Sequence, residues 1–346
     1  MRIAVDVMGG DHGCAVVIEG VKRALEADPS ISKILLVGNE TEIRAASDQV
    51  GLRDPRAEII HASEVLAMDE KPQNIRRKKD SSMMRTIEAV HENKADAIIC
   101  PGNTGALVAG SLKLGRLDGV ERPALAARMP SRTNDFVLID AGASPVCEPS
   151  HLAQFAVMGS IYARETLGQS KPRVGVLSNG SEESKGNELT REAAKLCSQL
   201  DLNFIGYVEG FHLFDDSVDV VVADGFTGNV VLKTCESLGY AMMHLLKREL
   251  RANPLRMLGA MLSRGAFCSI KKRLDPEVYG GAALLGLNGI VIKVHGSARE
   301  RAVMNAIRVA TEEIRHGVNQ IISQQIARAN ERLAAAETPV SPTVPA

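Results

Sequence analysis

The sequence has no tryptophan and only four tyrosines and seven phenylalanines in 346 residues. So few rings exclude an aromatic platform for stacked bases, and a formal net charge of −1 gives no overall field to gather a nucleic acid. Long apolar runs are also missing. None approaches the ~20 residues that span a bilayer, and the chain opens directly on a strand-like segment, so no leader or anchor is expected. Cys14, Cys100, Cys147, Cys197, Cys235 and Cys268 are scattered without a CxxC pair, which suits reduced, packed thiols of a cytoplasmic protein. GxxxxGK[ST], GxSxG and GxGxxG are absent, and HENKA lacks the second histidine of HExxH. A P-loop, an acyl-serine elbow, a standard dinucleotide loop and a zinc site are therefore not expected, and neither cofactor nor metal is called for.

Against these absences stands VDVVVADGFTGNVVLK (218–233): a β-branched run, a glycine-rich turn, then an apolar-periodic segment reaching Leu250. ADAIICPGNTGALV (95–108) aligns with it without a gap, placing Asp96 on Asp219, Gly102 on Gly225, Thr104 on Thr227 and Gly105 on Gly228. Gly-x-Thr-Gly between strand and helix points backbone N–H groups and a hydroxyl at the positive helix end, a site for an anion such as phosphate. As single copies such turns also serve as plain connections; two matched copies suggest a site between two halves.

The rest of the chain has an α/β rhythm. Strands are expected at 2–8, 33–39 and 57–63, with helices from Cys14 to about Leu25 and over ETEIRAASDQV between the second and third strands, implying parallel pairing. Asp11 and His12 follow the first strand and read either as ligand contacts or as a helix cap and a solvated ring. Residues 68–84 are polar and basic at Arg76, Arg77, Lys78 and Lys79, either a wet face or the mouth of a cleft that attracts an acidic partner. Acidic, glycine-rich strand ends recur at Asp140-Ala141-Gly142-Ala143 and after RVGVLSNG (173–180). Lys185 lies in SKGNE at a helix start, where the dipole disfavours a cation unless an anion neutralises it. Residues 245–276 interleave eight basic residues with Leu and Met, and Pro254, Gly259 and Gly265 are expected to interrupt the helix. That segment is either a hairpin against the core or a surface for an anionic membrane or an acidic helical partner. GIVIKVHG places His295 and Ser297 at a further strand end, before a helix expected to reach about Leu333; the tail 334–346 is expected to be disordered. Backbone anion loops, a lysine and asparagines without an evident nucleophile suit a reaction in which a bound anion attacks, orthophosphate on an activated acyl group being the simplest instance.

DVMGGDHG, MDEKP with RRKKDSSM, PGNTGAL, DAGA, SKGNELT, DGFTGNVVLK and YGGAALLGLNGIVIKVHGSA occur in this order and resemble the phosphate acyltransferase family PlsX, up to about residue 325. The resemblance implies a three-layer α/β/α sandwich with a mixed sheet, like isocitrate and isopropylmalate dehydrogenases and phosphotransacetylases. Two interwoven halves are expected, 1–120 with 285–333 and 121–284. It further implies a cytoplasmic or peripherally membrane-associated homodimer that converts acyl-ACP (acyl carrier protein) and orthophosphate into acyl phosphate and ACP, feeding acylation of glycerol 3-phosphate. Lys185 would then activate phosphate and Asn229 stabilise the thioester oxyanion. Further substrate contacts are expected from Gly102, Asn103, Thr104, Gly105, Asn187, Thr227, Gly228, His12 and His295. The acidic ACP would land on the basic segments 76–79 and 247–273. Pro101 before GNTG and Ser144-Pro145-Val146-Cys147 after DAGA depart from the family pattern. A phosphotransacetylase-like acyltransferase of the same fold and a non-catalytic acyl-binding membrane scaffold are the alternatives.

Overall fold

The structure, a computed structural model, describes residues 1–182 and 184–337. Eleven short apolar runs form strands: β1 (Arg2–Asp6), β2 (Lys33–Gly38), β3 (Ala57–His61), β4 (Ala97–Cys100), β5 (Ala124–Pro130), β6 (Asp135–Ile139), β7 (Arg173–Ser178), β8 (Asn203–Glu209), β9 (Val220–Val222), β10 (Ala282–Leu285) and β11 (Ile290–Lys293). They make one mixed sheet in the order β3-β2-β1-β4-β11-β10-β5-β6-β9-β7-β8. Pairing is parallel from β3 to β11 and from β6 to β8, and antiparallel on both sides of β10 and between β5 and β6. β1 to β4, β11 and β5 therefore run one way, and β6 to β10 the other.

Because strand side chains alternate between faces, the sheet has two cores. Ile3, Val5, Ile34, Leu36, Ile99, Val220 and Val222 lie on one face. There they are covered by α1 (Cys14–Ala27), α2 (Glu40–Val50), α5 (Pro149–Leu167), α6 (Glu188–Ser198), α10 (Glu300–His316) and α11 (Val318–Glu337). Ala4, Leu35, Ile98, Leu138, Val221 and Val291 lie on the other, under α3 (Ser82–His91), α4 (Thr104–Ser111) and the start of α7 (Gly225–Leu250). This is the expected three-layer α/β/α sandwich. Both halves of the sheet are pinned alike: Arg2 N–H and guanidinium bind Asp96, and Arg173 does the same to Asp219. The two aspartates aligned in the sequence thus play one structural part.

Several local expectations change. The helix from 300 is two helices, because Gly317 adopts φ 64 and ends α10. α11 runs to Glu337, so residues 334–337 are helical, and the remainder of the expected tail lies outside the described residues. β10 and the nineteen-residue α5 have no counterpart in the sequence reading. The basic 245–276 segment comprises the end of α7, α8 (Pro254–Leu262) and α9 (Arg264–Leu274). Its breaks fall at 251–253, capped by Asn253, and at Ser263; Gly259 and Gly265 lie inside helices. Neither α8 nor α9 has a buried residue, so this arm does not pack on the core of its own chain.

Candidate active site

The expected site residues fall into two groups, at the C-terminal ends of oppositely directed strands. In the first, the loop after β1 meets the loop after β4 so closely that a Cβ on Gly9 would lie 2.9 Å from Gly102 Cα. Buried Asp6 shapes this junction: its carboxylate accepts from Met8 N–H at 3.1 Å and sits 3.5 Å from Cys100 Sγ. The third strand end closes over it, with Asp11 N–H donating to Gly296 O and His12 Nε2 to Ser297 O. Ser297 N–H donates to His295 Nδ1, which leaves Nε2 as that ring's free donor when neutral. Burial, then the charge of Lys233, lowers the proton affinity of His295. Beneath it, Lys293 is 8% exposed and opposite Cys100 in register; burial brings its pKa down to about 8.

Asn103 in this group is not free. Its Oδ1 caps α4 through Ala106 N–H, and its Nδ2 donates to Met68 O and Glu70 O. Thr104 and Gly105 form the first turn of α4.

The second group is built on β6, β9 and β7, which are neighbours in the sheet. Fully buried Asp140 gathers the backbone N–H groups of Leu125, Gly142, Ala143 and Ser144 on one carboxylate and so fixes the DAGA loop. The start of α7 rests directly on that loop. Gly225 N–H donates to Ser144 O, and a Cβ added to Gly228 would stand 1.9 Å from Asp140 O. The Asn229 side chain lies over Gly142, its Oδ1 3.5 Å from where a Cβ there would be. At the end of β7, Lys185 is exposed and packs over Gly180. Gly186 N–H is held by Asn179 Oδ1, and Asn187 caps α6 in a reciprocal pair with Thr190.

One expectation is corrected here. The Gly-x-Thr-Gly turns are not the same device. Before α7 the carboxylate of Asp224 already accepts from Phe226 N–H, Thr227 N–H and Thr227 Oγ1. An acidic cap thus holds the position a phosphate would take. The strands that carry the two turns, β4 and β9, run in opposite directions in the sheet. α7 is what joins the groups: Gly228 and Asn229 lie in its first turns, while Lys233 and Glu236, one to two turns on, set the field at Lys293 and His295. The sequence reading passed over Lys293 and the loop-holding parts of Asp6, Asp140 and Asp224. The available signals were an aspartate one to three residues before a glycine at three strand ends, and a lysine closing the apolar run IVIK.

Thiol chemistry is disfavoured around both groups. Burial raises Cys147 to about 11 and Cys14 to about 12, and holds Cys100 well above its usual range, so none carries appreciable thiolate at neutral pH. Among the described residues no cluster of three or more His, Cys, Asp or Glu could hold a metal, and no helix is long and apolar enough to cross a membrane.

Comparison with known proteins agrees with this architecture. The chain is 45% identical over 336 residues to a phosphate acyltransferase of Akkermansia muciniphila, covering 95% of this chain and 96% of that one. It is 46% identical to one from Desulfitobacterium hafniense, covering 95% and 98%. Among solved structures, a phosphotransacetylase from Streptococcus pyogenes superposes with a TM-score of 0.58 at 19% identity over 96% of this chain and 94% of that one, which shows a shared fold. The family described as "Fatty acid synthesis protein" matches residues 1–321, and the chain belongs to it: an enzyme of the phosphate acyltransferase (PlsX) family.

Proposed function

We propose that the acyl donor is the thioester of acyl carrier protein and that orthophosphate is itself the nucleophile, without a covalent acyl-enzyme. The observation that carries this reading is Asn229 seated on the Asp140-held loop, beside the strand whose end bears Lys185. It supplies an amide donor and an exposed cation at neighbouring strand ends, with no ionised thiol nearby. A phosphate oxygen held by Lys185 attacks the thioester carbonyl, and the Asn229 Nδ2–H donates to the oxyanion as it forms. The C–S bond then breaks, the carrier's sulfur leaves as thiolate and takes a proton, and acyl phosphate is released. Gly102, Thr104, Gly105 and the free Nε2 of His295, at the other end of the α7 contact, line the approach, while Asn103, Asn187, Thr227 and Gly228 act through loop geometry.

The product would feed acylation of glycerol 3-phosphate by a downstream acyltransferase at the start of phospholipid synthesis. The arm 245–276 suits a homodimer contact and a peripheral hold on an anionic membrane face. Leu255, Met257, Leu258, Met261 and Leu262 are all at least half exposed, among Arg256, Arg264, Lys271 and Lys272. Incubating the enzyme with acyl-ACP and phosphate and trapping acyl phosphate as a hydroxamate tests the reading. Acyl transfer from coenzyme A thioesters alone would favour a phosphotransacetylase-like donor choice, and an acylated side chain isolated during turnover would overturn the direct attack.

A further inference from the structure

Two cavities flank the exposed end of α4 and share Leu112 as a common wall. The first, ≈ 480 Å³, is lined by apolar Val108, Leu112, Pro123 and Ala143, by Ser144, and by Arg116 and Arg122 at its rim. Its wall includes Ala143 and Ser144, next to Gly142 over which the Asn229 side chain lies. The neighbouring cavity, ≈ 470 Å³, is bordered by Arg76, Lys79 and Lys113.

Five cations therefore surround Leu112, which is 46% exposed. The two carboxylates among them are already engaged, Glu88 with Lys113 and Arg85, Glu121 with His151 and Ser150. Within the sequence's 76–79 run, Lys78 is spent on Glu70 and Val65 O, whereas the side chains of Arg76, Lys79 and Arg122 have no hydrogen-bond or ion-pair partner among the described residues. Cations left unpaired around an exposed leucine, beside an apolar cavity with an arginine rim, match one kind of visitor. That visitor is an acidic protein with a small apolar contact and a flexible arm attached through a phosphodiester.

Resting on the carrier-thioester reading above, we infer that the acyl carrier docks at the α4 end, its acidic face on the unpartnered Arg76, Lys79 and Arg122 and its apolar contact on Leu112. Its arm enters the cavity between Arg116 and Arg122 toward Asn229. The basic 247–273 segment is then not the landing site; its exposed apolar surface is free for other contacts.

The test compares Lys79→Glu, Arg122→Glu, and Lys247→Glu with Lys272→Glu on the arm. Two quantities are read: the KM for acyl-ACP divided by that for acyl-pantetheine at saturating phosphate, and carrier affinity by fluorescence anisotropy without phosphate. Reversal at Lys79 or Arg122 should raise the KM ratio at least tenfold and weaken carrier binding equally. Val108→Trp, which fills the cavity, should lower turnover with both thioesters at least tenfold while carrier binding persists. The inference fails if the α4-end reversals leave ratio and affinity within twofold, or if the arm reversals change them instead. If the parent makes no acyl phosphate from either thioester, the proposed reaction fails, and the anisotropy measurement alone still decides the docking surface.

Discussion

Gly228→Ala tests whether the seat of α7 on the DAGA loop governs catalysis. The added Cβ would lie 1.9 Å from Asp140 O, a backbone atom in a loop fixed by four N–H donors, so neither side can turn away. To restore ordinary contact the first turn of α7 must withdraw by more than about 1 Å, carrying Asn229 with it. Overpacking of this kind costs about 1–3 kcal/mol, a drop of roughly 1–4 °C in Tm for a chain of this size. A displacement of that order at a positioned donor costs about a hundredfold in rate. Gly239 lies in the same helix with nothing near its would-be Cβ, so Gly239→Ala should instead gain up to ~1 kcal/mol of helix propensity. Hydroxamate-trapped acyl phosphate gives the rate, and calorimetry or circular dichroism gives Tm. If Gly228→Ala turned over within threefold of the parent, the rigid seat would have no part in the chemistry.

Asn229→Ala should lower kcat by two to three decades, about 2.7–4 kcal/mol of barrier, with KM for the thioester nearly kept; steady-state kinetics would show it. Glu313 is 2% exposed with Oε1 unpartnered, and burial raises its pKa to about 8. The native state therefore holds a proton that the unfolded chain releases near pH 4.5, so this group's contribution falls as pH rises from about 4.5 to 8. Glu313→Gln should match the parent near pH 4 and exceed it by a few kcal/mol, on the order of 1.4 per pH unit crossed, at pH 8; urea titrations at both values decide it. Lys293 titrates with the opposite sign: its folded pKa of about 8 lies below the usual 10.5, so stability gains as pH rises through that window. Lys293→Met should abolish that gain in unfolding curves between pH 8 and 10.5. Replacing Leu255, Met261 and Leu262 by serine should release the enzyme from anionic vesicles in a flotation assay while hydroxamate formation from acyl-ACP persists.

The layer architecture was legible because apolar periodicity is local: RIAVD, KILLVG and VVV announce strands from their own residues. β10 was hidden because AALL, four residues set among glycines, is too short to show a period, while the change of strand direction across the sheet comes from the antiparallel β5/β6 pair. The aligned Asp96 and Asp219 do hold equivalent arginines, while the two glycine turns themselves are capped differently. Capping was equally opaque. The same Gly-x-Thr-Gly starts α4 at its threonine, behind Asn103, but starts α7 two residues earlier at its glycine, behind Asp224. The first turn is therefore capped by an amide oxygen in α4 and by a carboxylate in α7. Lys185 and Asn229 stand out as candidates from their motifs, whereas Lys293 looks like one more strand residue until its burial is seen.

Helix α7 is a single rod of 26 residues, about 39 Å long, clamped at one end by buried backbone and exposed along most of the rest. A lipid or subunit contact at its far end, as proposed above, would share a lever with the amide of Asn229. Anchorage and turnover would then be mechanically linked, and the enzyme would sense where it is moored through the tilt of one beam.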